Sequence, residues 1–556
     1  MEASPVQTIQ YFDGSKQGVI PLFQRPYSWE PKDWDTLWDD LYAQYEEEDR
    51  ALHFMGAIVT VPVKSVPVGV TKHLVIDGQQ RLTTLSILLA AIRTRAEEQG
   101  DNGTSGIIGD LLTNRHYQAP DDLKLVPTQV DRAAYNALVY QKDLSAFGES
   151  RIVQAYKHFL KKLAGKDNDG APLKPSQIFQ AIQQSLQVVM INLGEADDPY
   201  LIFESLNHKG KPLNQGDLVR NYVLMRFQHS TASGGEQELV YEDLWRPMES
   251  YLGENMPEFL RHYAMRTGKK VRKGDIYTST KTEFEACKNP EAVRSLLIQM
   301  KASAKDYSQF LSPELTANKQ VCSYLNAIKD LDSTVFYPLM MRLYQATSSE
   351  HMTEDDLVKC LAYLESYYLR RLICNVPTNA LNKITLEICS NLPTDGHRAW
   401  LRENLLQSSG ASRQWPSDDE FHSALINQKL YPRHRVARYV LISLEESFEH
   451  KEPVDTSTAT IEHIMPQTLS PEWKDHLGAE FEKVQETWGD TLGNLTLTGY
   501  NSELNNDHFD VKKEKLRNTH FELSRSILAQ TAWTAAEIAA RGEMLAKRAL
   551  VRWPRP

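Results

Sequence analysis

Thr460-Ile461-Glu462-His463-Ile464-Met465-Pro466-Gln467 decides the reading of this chain. The apolar and β-branched run Ala459–Ile464 predicts a short strand that ends on an acid-histidine pair, with a proline just beyond. About thirty residues later comes Gly493-Asn494-Leu495-Thr496-Leu497-Thr498-Gly499-Tyr500-Asn501, which predicts a second strand over Asn494–Thr498. Leu504, Asn505, Phe509 and Lys513 follow, and the chain closes on a helical tail.

Outward from this segment, the bulk numbers set limits. At ~150 residues per domain, a chain of 556 residues is expected to hold three or four. With 41% hydrophobic and 24% charged residues, each can bury an ordinary core. A net charge of −11 argues against a protein that coats nucleic acid over its whole surface, but leaves room for a local basic groove. The five cysteines (Cys287, Cys322, Cys360, Cys374, Cys389) form no C-x-x-C pair, which disfavours a zinc ribbon or thioredoxin-like motif and fits a reducing compartment. MEASPVQTIQYFDG lacks the basic start and apolar run of a signal peptide. No apolar stretch reaches the ~18 residues of a membrane span, so a soluble cytoplasmic protein is expected.

Polar, Gly/Pro-rich stretches fall near Lys166–Ser176, His229–Gln237 and Gln407–Asp419. Before the second of these, strands are predicted at His53–Pro62, His73–Ile76 and Leu186–Leu193. Helices are predicted from Leu82 to Ile92, at Pro199–Leu206 and at Asp217–Phe227. The region from about 238 to 430 reads as helical, for example Asp330–Tyr344 and Asp355–Ile373. Its basic cluster Arg266, Lys269, Lys270, Arg272 and Lys273 reads as a solvated loop, with a DNA path as the alternative.

Asp77-Gly78-Gln79-Gln80-Arg81 lies between a strand and a helix. Such a junction turns free backbone N–H groups and a positive dipole end toward an anion. Gly78 permits a tight turn, Arg81 suits bidentate contact with phosphate, and Asp77 suits a metal or a ribose hydroxyl. A nucleotide phosphate is a sensible guest, although this is not a Walker A loop.

The C-terminal constellation resembles the HNH (His-Me finger) half of the GmrSD-type, modification-dependent (type IV) restriction enzymes, over roughly residues 430–556. Near the N-terminus, four segments appear in order: Ile20–Trp29 with Gln24-Arg25-Pro26-Tyr27-Ser28-Trp29, His53–Ile58, the D-G-Q-Q-R run, and Ile202–Leu213 leading into Asp217–Tyr222. Together these resemble the GmrS-like domain of the ParB/sulfiredoxin-like superfamily, shared with the SspE-type phosphorothioate-sensing nucleases, over roughly residues 8–228. The resemblance implies an α+β multidomain chain. Its parts would be a ParB/sulfiredoxin-like α+β domain (1–228) that binds nucleotide and senses DNA, a helical spacer (229–430), and a ββα-metal HNH nuclease domain (431–556).

It also implies roles. His463 would be the general base, and Glu462 and Asn501 would hold one divalent metal, Mg²⁺ or Mn²⁺ by their oxygen donors. Asn494 would brace the turn or orient the histidine. Many such sites carry Asp before the His, and the longer arm of Glu462 changes metal reach. Lys512, Lys513 and Lys515 (with Arg517) are candidate phosphate contacts, with a solvated helix face as the alternative. Asp77, Gly78, Gln79, Gln80, Arg81, Arg25, Asn207 and Lys209 would bind and hydrolyse an NTP, GTP or ATP. Gln24, Tyr27 and Trp29 would sense DNA, with Tyr27 and Trp29 as core aromatics the alternative. Arg433, Arg435 and Arg438 resemble an Arg-rich helix that recurs in the family.

The expected function is a nucleotide-regulated, metal-dependent DNA endonuclease of antiviral defence. Its partners would be DNA, with phosphorothioate or glucosylated/hydroxymethylated bases as targets, and a nucleoside triphosphate. No membrane is implied, and homo-oligomerisation is left open. Two other classes stay open: a nucleotide-responsive DNA-binding regulator with a degenerate nuclease site, and a toxin nuclease without modification sensing.

Overall fold

The computed structural model describes residues 2–22, 24–46, 52–63, 69–194, 214–227, 235–407, 410, 412–448 and 454–556. The chain forms two compact units, Met1–Arg246 with Lys281–Arg294, and Pro247–Thr280 with Ser295–Pro556. The expected helix Pro199–Leu206, the segment Ile202–Leu213, and with them Asn207 and Lys209, lie outside the described residues.

The first unit is built on a mixed six-stranded sheet. Its strands are β1 (Glu2–Gln7), β2 (Lys16–Val19), β3 (His53–Pro62), β4 (Thr71–Asp77), β5 (Leu125–Val126) and β6 (Leu186–Asn192), in the order β1-β6-β3-β4-β2-β5. β3 runs antiparallel to β4 and parallel to β6, with Val59 opposite both Asp77 and Ile191. The helices include α1 (Pro31–Glu46), α2 (Gln79–Glu98), α3 (Asn102–Leu112), α4 (Gln129–Val139), α5 (Arg151–Leu163), α6 (Pro175–Ser185) and α7 (Gln215–Met225). In α2 nearly every residue from Gln79 to Arg93 is buried, polar Thr83, Thr84 and Ser86 included. A helix covered on all sides is the centre of its unit, so the D-G-Q-Q-R run opens the central helix.

The second unit is largely helical. Its relevant elements are α8 (Lys319–Asp330), α9 (Glu354–Ile373), α10 (Asp418–Asn427), α11 (His434–Glu446), the hairpin β7 (Thr460–His463) and β8 (Leu495–Thr498), α12 (Phe509–Lys515) and α13 (Ala535–Arg552). Ile461, Leu495 and Leu497 join Val440, Leu444, Leu545 and Trp553 in one core cluster. Ile464, Met465, Trp473, Phe509 and Trp533 form a second. Over the described residues of 235–430 every regular element is helical. The expected single helix Asp330–Tyr344 is two: α8 stops at Asp330, Asp332 takes a left-handed φ of 56°, and a new helix starts at Tyr337. Pro338 has no N–H to donate and is tolerated only in a first turn, which is where it lies. The cluster Arg266–Lys273 follows the helix Met256–Met265, with Arg266 stacked 3.5 Å over Tyr263 and Lys273 paired with Glu258 at 3.1 Å. Among the described residues, no helix is long and apolar enough to cross a membrane.

Gly78 caps α2 with φ +91°, and an added Cβ would lie 3.0 Å from Ile58 Cγ1 and 3.1 Å from the Ala57 carbonyl. A left-handed conformation costs an L-residue ~1–2 kcal/mol before any clash. Gly78→Ala is therefore expected to lower the melting temperature of the first unit by about 2–8 °C. Calorimetry checks this, and an unchanged transition would mean that the junction relaxes freely.

Candidate functional site

In the second unit, β7 and β8 pair antiparallel from Thr460–Thr498 to His463–Leu495. This register brings His463, the end of the first strand, beside the turn that precedes the second. There Asn494 is fully buried, and its amide is saturated. Oδ1 accepts from the Met465 N–H (2.8 Å) and Trp533 Nε1 (2.9 Å). Nδ2 donates to the carbonyls of Met465 (2.9 Å) and Gly489 (2.8 Å). Asn494 thus clamps the segments on both sides of the hairpin and is a positioning residue, out of reach of a substrate. Arg541 of α13 braces the same turn from below. It donates to the carbonyls of Gly493 (2.8 Å) and Leu495 (2.7 Å), and burial pushes its pKa down to about 9.

The clamp holds Gly489, and its neighbour Asp490 reaches His463. Asp490 Oδ1 lies 3.1 Å from His463 Nε2. The Asp490 carbonyl in turn accepts from the N–H groups of Leu430 (2.8 Å) and Tyr431 (3.2 Å), just before α11. The Tyr431 ring meets the imidazole edge-on, with centroids 4.3 Å apart. His463 is 8% exposed. Burial pulls its pKa below the ordinary histidine range, against the opposing pull of Asp490, so the ring is neutral at pH 7. A carboxylate only accepts, so the neutral ring carries its proton on Nε2 and leaves the Nδ1 lone pair as acceptor. The described residues give the ring no other hydrogen bond. An oriented, neutral imidazole is what general-base chemistry requires. Asp490 was not legible as its partner: it stands 27 residues from His463 in the chain, in Trp488-Gly489-Asp490.

Glu462 behaves differently from the expected metal ligand. Its carboxylate is buried and bonded to Lys512 of α12, Nζ to Oε1 at 2.6 Å, and the same ammonium donates to the His463 carbonyl at 2.7 Å. Desolvation pushes Glu462 up and Lys512 down, and the short contact opposes both. Asn501, half-buried at the start of the turn after β8, donates Nδ2 to the Ile461 carbonyl at 3.0 Å, leaving only its Oδ1. Among the described residues, no three His, Cys, Asp or Glu side chains converge as a metal site. With Glu462 engaged by Lys512, a hard cation at Glu462 and Asn501 would depend on waters and substrate phosphate oxygens to complete its shell.

Of the three lysines expected to meet phosphate, Lys512 faces the interior. Lys512 is 1% exposed and holds Glu462. Lys513 donates to the Gln530 carbonyl at 2.6 Å, and Lys515 pairs with Asp507 at 2.5 Å. Their helical spacing reads as a basic run, whereas the fold turns one lysine inward and ties the other two to their own unit.

In the first unit the two motifs interlock. Gln24 Nε2 donates to the Ile76 carbonyl (2.8 Å), and Gln79 Nε2 donates to Gln24 Oε1 (2.9 Å). Gln80 Oε1 accepts from the Ser28 N–H (2.8 Å), and its Nε2 donates to the Pro26 carbonyl (3.1 Å). The Tyr27 hydroxyl bonds Thr84 (2.7 Å) and accepts from Trp34 Nε1 (2.8 Å). Gln24 and Tyr27 are buried and tie this loop to α2, and each end of the Gln80 amide is engaged once. Trp29 packs half-buried against the core.

What stays available is cationic. Arg25 is half-buried and makes no hydrogen bond among the described residues. Desolvation lowers its pKa, opposed by the carboxylates of Asp217, Asp33 and Asp77. Arg81 donates to the Met55 carbonyl (3.2 Å) and faces Asp77 at 3.5 Å. Gly56, with φ +105°, makes room for it, since a Cβ there would lie 2.1 Å from Arg81 Nη1. The first turn of α2 has no side-chain cap. Two guanidiniums beside an uncapped helix N-terminus and a carboxylate suit a phosphate with its counter-charge.

Both halves have recognised counterparts. Residues 8–224 match the N-terminal domain of GmrSD restriction endonucleases, and residues 415–548 match the C-terminal domain. A histidine held ready beside a hairpin, in a chain carrying both domains in order, belongs to a restriction endonuclease of a defence system, with DNA as substrate. The chain is a member of the GmrSD family. A search of curated proteins finds no match to it.

Two outcomes follow from the geometry. Asn494→Ala strands four buried polar partners and is expected to destabilise the second unit by ~2–4 kcal/mol, read by denaturant unfolding. Asp490→Asn removes the carboxylate that raises the His463 pKa. The acid limb of any His463-dependent activity, lost as pH falls through that pKa, should therefore move to lower pH, while kcat drops by ~10²-fold or more. A pH–rate profile identical to wild type would remove Asp490 from the site.

Proposed function

We propose that this GmrSD chain is a nucleotide-regulated DNA endonuclease with His463 as its general base. The 3.1 Å contact between a neutral His463 and Asp490 carries the reading. Asp490 holds the Nε2 proton, and Nδ1 takes a proton from water. The resulting hydroxide attacks the phosphorus of a DNA phosphodiester, and the leaving oxygen departs and is protonated. Asn494 and Arg541 keep the turn that carries Asp490 in place. Mg²⁺ or Mn²⁺ is the family expectation; Glu462 and Asn501 would hold it, together with water and substrate oxygens, and it would stabilise charge building on the phosphate. Glu462 is also the partner of Lys512.

In the first unit, Arg25, Arg81 and the N-terminus of α2 take the phosphates of GTP or ATP, and Asp77 takes a metal or a ribose hydroxyl. Nucleotide state there regulates cutting. Modified bases are the target by family likeness, with no residue of this chain assigned to read them. A DNA-binding regulator remains a second reading because Glu462 is engaged by Lys512.

Plasmid nicking decides between them. Wild type should nick, with Mg²⁺, Mn²⁺ or EDTA as separate arms, and His463→Ala should not. Equal background in both would favour the regulator. Glu462→Gln should lose nicking and regain it at high metal concentration. If it keeps nicking and only lowers the melting temperature, Glu462 serves Lys512 alone. Arg25→Ala should weaken GTP or ATP binding by ~10-fold or more, since a hydrogen bond to a charged group is worth ~1.5–3 kcal/mol. Titration of a fluorescent nucleotide reads this, and unchanged affinity would move the nucleotide elsewhere.

A further inference from the structure

Between α8 and α11 of the second unit lies a groove of about 690 Å³, large enough for a nucleotide residue of a strand. We propose that it is a phosphate-binding track for the DNA substrate, resting on the nuclease reading of His463. One wall comes from residues 319–330, which neither matched domain covers.

The charge is arranged for a polyanion. Lys319 opens α8, exposed and without an intrachain hydrogen bond among the described residues. Arg435 is pinned by the carbonyls of Asp330 and Lys329, the latter at 2.6 Å. Arg438 is pinned by the carbonyls of Thr456 and Ser457, each at 3.1 Å. Neutral acceptors fix a guanidinium without cancelling its charge. Asp332, 3.6 Å from Arg435, offsets part of it. Two carboxylates of the groove, Asp330 and Glu446, oppose the cations. Arg552 is matched by Glu365 at 3.1 Å. The groove lining sets Lys319, Arg435, Arg438 and Arg552 against Asp330 and Glu446, in a chain whose net charge is −11, so DNA would be drawn locally rather than to the whole surface.

The track also leads to the right place. The Tyr431 ring stands between His434, in the groove (centroids 5.7 Å apart), and His463 (4.3 Å). A strand held over α11 therefore passes beside the base.

The test uses the full chain and a fluorescein-labelled 30-base-pair duplex in EDTA, with anisotropy read across salt concentrations. Lys319→Glu/His434→Glu breaks no hydrogen bond among the described residues. It should raise Kd at least tenfold at low salt and reduce the slope of log Kobs against log salt by about 1–2. Arg435→Gln should do likewise, with its folding checked by thermal melting. Lys483→Glu, on an exposed helix away from the groove, should change neither quantity. Wild-type affinity and slope in the double variant would overturn the proposal, as would an equal loss in Lys483→Glu. Loss of GTP or ATP binding with DNA binding intact would assign the groove to a nucleotide and also overturn it. His463→Ala should bind the duplex like wild type, so failure of the base assignment and failure of the groove are read separately.

Discussion

The nuclease unit depends on one buried amide. Asn494 has two acceptor and two donor capacities, and all four are met by groups from different segments: Met465 twice, Gly489 and the Trp533 indole. Inside a protein an unmet polar group costs more than a met one returns, so these segments have little freedom to separate. Everything chemical follows from that. Met465 is two residues past His463, and Gly489 is one before Asp490. A single side chain therefore fixes both ends of the imidazole–carboxylate contact, and Trp533 ties the arrangement to the second core cluster.

A parallel logic orders the first unit. The D-G-Q-Q-R run is usable because α2 is immobilised on every side. Gln80 bonds the backbone of the Gln24–Ser28 loop, and Gln79 bonds the Gln24 side chain, which itself donates to the Ile76 carbonyl. Their role is to hold that loop against the start of α2, which places Arg25 near Asp77, where its guanidinium makes no hydrogen bond among the described residues. Polar motif residues thus divide into struts and contacts, and only the cationic ones remain available.

That division explains what could be read from the sequence. β3, β4 and β6 were legible because β-branched runs bounded by turn residues have few other solutions, and α2 and α9 because their apolar residues recur at helical spacing. The acid-histidine strand and its partner were legible for the same reason. Hydrogen-bond partners were not. Nothing in the spacing of Lys512, Lys513 and Lys515 says which lysine turns inward, and nothing local marks Asp490 as the partner of a histidine on another strand. Helix Asp330–Tyr344 was misjudged because apolar periodicity outweighed Pro338, whose missing N–H places a boundary before it.

The buried Glu462–Lys512 pair is the least economical feature of the unit, and its cost is informative. Removing two charges from water carries a penalty that their attraction seldom exceeds, and an apolar pair of similar volume would often be as stable. Here the ammonium does a second task that an apolar group cannot perform: it donates to the His463 carbonyl. The pair therefore joins the end of β7 to α12 at the residue that carries the imidazole. A hydrophobic replacement would preserve burial but lose this directional link. The ion pair is thus best understood as fixing where His463 ends its strand, with Asn494 fixing where its partner begins.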